Sequence, residues 1–99
     1  MAEYRIEVTE EAKTDLSFYT AFERKIITAE IRVQLIHQPL VETKNREPLR
    51  DNPLASWELR VGNYRVFYEV DEPAQMVTIV SVGHKEHNTL LIRGKEGRI

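Results

Sequence analysis

Two arginines and a basic, histidine-bearing cluster mark the stretch WELRVGNYRVFYEVDEPAQMVTIVSVGHKEHN, residues 57–88. Arg60 and Arg65 flank Gly62-Asn63, while His84, Lys85 and His87 crowd the exit of an apolar run. Arginine presents paired N–H donors that match the oxygens of a phosphate. A neutral histidine accepts a proton near physiological pH and histidinium returns one, which is the requirement for general acid and base catalysis. Lysine stabilises negative charge as it develops on phosphorus. A plainer reading stands beside this one. Glu58 and Glu69 can neutralise both arginines on a solvated face, and histidines are ordinary in polar turns.

These side chains need a sheet to hold them. If Gly62-Asn63 is a two-residue hairpin turn, Arg60 faces Arg65, Glu58 faces Phe67 and Trp57 faces Tyr68. Alternation then puts Trp57, Leu59, Val61, Tyr64, Val66 and Tyr68 on a core face, with Arg60, Arg65, Glu58 and Phe67 on the other. Like charges directly opposite one another repel unless an anion or carboxylate lies between them. Phe67 on the arginine face is available for stacking on a base or on a partner helix. Lys44, Arg46 and Arg50 sit in a loop predicted over residues 40–53 from its prolines and asparagines. They extend a basic surface toward a polynucleotide backbone or simply keep the loop soluble.

Ahead of the hairpin, residues 4–8 alternate as a half-buried strand, and Thr9 followed by Glu10 and Glu11 suits a helix N-terminus. Ala12, Leu16 and Tyr19 form one apolar stripe. In a second helix ended by Pro39, Ile26, Ala29, Val33 and Ile36 form a row beside Ile27, Ile31 and Leu35, giving a broad apolar face. Further strands are predicted over residues 56–61, 64–71 and 76–82, with a short helix over 86–92 and a charged tail over 93–99. The fold class is α/β of the α+β type: a β-α-α-β-β-β antiparallel sheet with two N-terminal helices packed on one face. Tyr4, Phe18, Tyr19 and Trp57 are read as core, and His37 as a surface or capping residue. His84, Lys85 and His87 are expected to overhang the open face.

At 99 residues the chain is read as one domain over 1–99, and its 41% hydrophobic and 30% charged composition is that of a globule. It has no cysteine, which excludes disulfides and thiol chemistry and fits a reducing cytoplasm. No signal sequence or apolar run of about 20 residues is visible. The net charge of −2 is unlike that of a general nucleic-acid binder. Residues 1–43 hold five basic and eight acidic side chains and residues 44–99 nine and eight, so any anion-binding face is local. His84 and His87 lack a nearby third ligand, and no metal site or cofactor is expected.

The order of elements, the hairpin ELRVGNYRVFYEV and the closing SVGHKEHN resemble the RelE/ParE superfamily of toxins from type II toxin-antitoxin modules, along nearly the whole chain. The resemblance implies a cytoplasmic toxin, of a kind linked to plasmid stabilisation, neutralised by a cognate antitoxin protein. RelE-type members are metal-independent endoribonucleases, or mRNA interferases, that cut mRNA on the ribosome through 2′-hydroxyl attack. On that pattern Arg65 matches the arginine that contacts the scissile phosphate, Lys85 falls where another basic residue stands, and His84 or His87 takes the acid or base role. ParE-type members instead poison DNA gyrase and need no nucleolytic residues. The chain departs from the nuclease pattern at Ser56 and Glu58, where basic residues are usual, and at Leu90 and Leu91, near which a tyrosine is usual. The leading expectation is the endoribonuclease. The alternatives are a gyrase inhibitor, or a degenerate toxin that only binds its antitoxin and represses its operon.

Overall fold

A computed structural model describes residues 3–50, 52 and 54–96. The end of the charged tail, residues 97–99, and positions 51 and 53 of the predicted loop lie outside the described residues. Strand β1 (Arg5–Val8) leads into helices α1 (Glu10–Ser17) and α2 (Ala21–Leu35). Strands β2 (Arg46–Pro48), β3 (Trp57–Val61), β4 (Tyr64–Asp71), β5 (Met76–Glu86), β6 (Thr89–Ile92) and β7 (Lys95–Glu96) follow. They form one sheet in the order β2-β3-β4-β5-β6-β7, with β1 also paired to β5.

The helix starts follow from local chemistry. The Thr9 side chain accepts the N–H of Ala12, and Glu10 and Glu11 lie at the positive end of the α1 dipole. Thr20 and Glu23 form a reciprocal capping box on α2, which fixes the break between the helices without Gly or Pro. The buried faces of α1 and α2, Ala12 and Leu16 with Ile27, Ile31 and Leu35, cover Leu59, Val61, Val66, Tyr68, Val77, Ile79 and Val82 of the sheet. The hairpin register is the expected one, with Arg60 opposite Arg65 and Trp57 opposite Tyr68. Gly62 supplies the positive φ its turn needs.

Four expectations are corrected. First, β1 joins the otherwise antiparallel sheet in parallel, Arg5 opposite Met76 through Val8 opposite Ile79. Second, the predicted loop over residues 40–53 contains β2, an edge strand paired with β3. Third, residues 86–92 are not helical: β5 runs on to Glu86, turns at His87-Asn88 and returns as β6. Both turn residues have positive φ, the geometry of a type I′ hairpin, which asparagine tolerates well. Arg93-Gly94 repeats that device before β7. Fourth, Phe18 is exposed rather than core, and only one of the two apolar rows on α2 is buried.

β4 lines one edge of β5 throughout, so β1 and β6 share the other edge end to end. Between them the backbone of β5 lacks a strand neighbour on that edge among the described residues. Asp15 fills that gap: its carboxylate accepts the Val82 N–H at 3.0 Å and the Ser81 hydroxyl at 2.9 Å. The Arg93 guanidinium closes on the other carboxylate oxygen at 3.0 Å. A buried carboxylate thereby satisfies a buried backbone donor, and the C-terminal hairpin is tied to α1.

Candidate functional site

The open face of the hairpin carries Arg60 and Arg65 side by side, as their register requires. Arg60 is already engaged, 3.1 Å from Glu47 and 3.4 Å from the buried Glu58. Arg65 pairs with no carboxylate among the described residues; its Nη1 donates to the carbonyls of Gly62 at 2.8 Å and Tyr64 at 2.9 Å. Burial lowers its pKa, the nearby Glu58 carboxylate opposes that shift and the Arg60 charge adds to it. Glu69, expected to neutralise this pair, accepts instead from the Ser56 hydroxyl at 2.6 Å. Gly83 lies opposite Arg65, and by alternation along β5 Lys85 shares its face.

Phe67 is on that face but fully buried, packed with Ala55, Leu90, Leu49 and Leu54. It is closed to base stacking because β6 and the segment before β3 cover it. Arg46 is likewise no nucleic-acid ligand. It is 6% exposed, and its guanidinium donates to the carbonyls of Val41 and Gln34 and to the Gln34 side chain, each at 2.8 Å. It thus satisfies an orphan carbonyl at the end of α2. Lys44 and Arg50 are exposed.

His84 is not where the sequence reading put it. It lies opposite Tyr64, on the helix-covered face, across the sheet from Arg65. There a cleft of about 400 Å³ opens at the end of the sheet, lined by Phe18, Tyr19, Glu23, Asn63, Tyr64, His84, Lys85 and Glu86. His84 Nδ1 lies 2.6 Å from the Tyr19 hydroxyl, and Nε2 lies 3.2 Å from the Glu86 carboxylate. Burial, followed by the Glu23 charge, raises the Tyr19 pKa, so its phenol stays protonated and donates. For the neutral ring this assigns the proton to Nε2, donated toward Glu86. Phe18 stacks on the imidazole at a centroid distance of 6.3 Å.

A second carboxylate–phenol pair adjoins it, with Tyr64 donating to Glu23 at 2.7 Å. That bond is the largest cause of the raised Tyr64 pKa, whereas the Thr20 backbone and then Tyr64 hold Glu23 below its usual value. His87 stands apart, exposed in the β5–β6 turn. By register the sheet puts Arg60, Arg65 and Lys85 on one face and His84 on the other, while Lys85, next to His84 in the chain, also borders the His84 cleft. Tyr19, Tyr64 and Glu23 belong to the His84 cluster and were not singled out from sequence. Strand parity was the available signal: His84 and Lys85 are adjacent, so in an extended β5 they cannot share a face.

A helix pair over one face of a small, mostly antiparallel sheet, with Arg60 and Arg65 on the other face, makes this an α+β protein. A model of the ParE toxin, from the parDE type II toxin-antitoxin system, matches residues 6–89, and the chain belongs to this family. Among solved structures it is similar to a chain of the toxin-antitoxin complex RelBE2 from Mycobacterium tuberculosis. The identity is 26% and the TM-score 0.75, over 86% of this chain and 94% of that one. It is also similar to a chain of the intact E. coli RelBE toxin-antitoxin complex, at 26% identity and TM-score 0.64, over 85% and 99% of the two chains. A chain of the archaeal RelE-RelB complex from Pyrococcus horikoshii shares the fold at 20% identity and TM-score 0.67, over 86% and 98%. The search of curated proteins finds no match. The chain is the toxin component of a type II toxin-antitoxin system, and the complexes among its neighbours support an antitoxin as its partner.

Proposed function

We propose that this toxin arrests growth by binding and inhibiting its target, DNA gyrase, as expected of ParE-type members, rather than by cutting RNA. One observation carries the reading: Arg65 and His84 lie on opposite faces of the sheet. Attack by a 2′-hydroxyl requires a phosphate anchor, a base and an acid within hydrogen-bond reach of one phosphate. On the Arg65 face Arg60 is already paired with Glu47 and the buried Glu58, and Phe67 is closed off. On the His84 face both ring nitrogens are engaged and both neighbouring phenols are held protonated, so neither phenol is a base at neutral pH.

Purified toxin added to gyrase and plasmid DNA tests this directly. Loss of supercoiling or accumulation of cleaved gyrase–DNA complexes is the expected result; unchanged supercoiling at doses that arrest growth overturns it. A ribosome-dependent endoribonuclease is the second reading, supported by Arg65 and Lys85 on one face and by Arg65 lacking a carboxylate partner among the described residues. The variant Arg65→Ala, Lys85→Ala separates the two. Under the proposed reading it keeps most of its toxicity; under the nuclease reading loss of two charge-stabilising groups costs on the order of 100-fold or more in cleavage.

A further inference from the structure

Helix α2 is apolar on two opposite sides. Ile27, Ile31 and Leu35 are buried against the sheet, while Phe22, Ile26, Ala29 and Val33 face solvent. Phe22 and Val33 are 73% and 71% exposed. At 100° per residue the second set centres roughly opposite the first, and its steps of four, three and four residues are the alternation of a coiled-coil seam. An uncovered seam of this kind on a charged helix calls for a partner.

The flanking charges identify that partner. One side of the seam carries Glu23 and Glu30, the other Lys25 and Arg32. In a parallel pair of α2 helices each residue on the basic flank meets the residue five positions further along the acidic flank of the other copy, so Lys25 faces Glu30 in both directions. An antiparallel pair sets Lys25 against Arg32, which is repulsive, and leaves Glu30 opposite Glu23, whose carboxylate is taken by its cap and Tyr64. We propose that the outer face of α2 is a self-association surface on which a second copy of this chain packs, α2 parallel to α2. The seam points away from the sheet, so both sheet faces, including Arg65 and the His84 cleft, stay free for antitoxin and target. A toxin pair with its target faces outward would engage two sites at once.

Sedimentation velocity of the refolded full chain, over a concentration series reaching the upper micromolar range, tests the proposal. The expected result is a monomer–dimer equilibrium that Lys25→Glu and Glu30→Lys each weaken by roughly tenfold, through lost attraction and new repulsion at two symmetric pairs. The two single variants mixed together should regain the wild-type dimer, because each mixed pair restores one basic and one acidic partner at every contact. Lys25 is exposed and Glu30 half-buried, accepting from the Gln34 amide at 3.2 Å, so circular dichroism and a thermal melt check the fold of each variant. A chain that stays monomeric throughout overturns the proposal, as does a dimer indifferent to both substitutions. If the chain is monomeric and Ile26→Glu with Val33→Glu instead abolishes antitoxin binding, the surface belongs to the antitoxin and the proposal also fails.

Discussion

Tyr19 supplies both a packed ring and the hydroxyl that fixes His84. Tyr19→Phe keeps the ring and removes that bond, so a loss of about 1 kcal/mol is expected in denaturant unfolding, with toxicity retained if the cluster is structural. Phe67 gives a sharper contrast between roles. As a stacking residue its removal would affect only binding; as a fully buried side chain, Phe67→Ala costs about 3–5 kcal/mol of stability. Thermal unfolding decides between them. Glu23 ties the α2 cap to Tyr64 and has a lowered pKa in the fold. Its contribution is therefore complete above the unfolded carboxylate value, about 4.3, and is lost as pH falls through the lower folded value. Melting temperature between neutral and acid pH should fall less steeply for Glu23→Gln than for the native chain; identical slopes would contradict that assignment.

At the level of elements, the two-residue turn at Gly62-Asn63 fixed the β3–β4 register, and with it the Arg60–Arg65 pair, from residue types alone. Apolar alternation likewise marked the core face, and Thr9 marked the start of α1. The C-terminal hairpin was not legible in the same way. Thr89, Leu90, Leu91 and Ile92 suit a short helix or a strand, and a His-Asn turn is a weak signal beside Asn-Gly. Ending β5 at Val82 hid the parity that separates His84 from Lys85. Nothing in a basic loop residue such as Arg46 reveals in sequence the helix terminus that it caps. Gly83 of the VGHK motif has its own structural reason: an added Cβ would lie 2.6 Å from the Leu91 carbonyl oxygen, where β6 crosses. Gly83→Ala is expected to loosen β6 from β5 and to speed amide exchange there while leaving β3–β4 protected; uniform protection would show that β6 adapts.

Taken as a whole molecule, the toxin has a covered face with the His84 cluster, a cationic face around Arg65 and an outward seam on α2. Its acidic net charge suits contact with a protein better than wrapping a polynucleotide. Separation of Arg65 from His84 across the sheet is the basis for proposing an inhibitor rather than a nuclease. Mapping of mRNA 5′ ends in cells shortly after induction of the toxin tests this claim most directly. Intact coding sequences during growth arrest are the predicted result; new 5′ ends in phase with codons, lost in Arg65→Ala, Lys85→Ala, would contradict it.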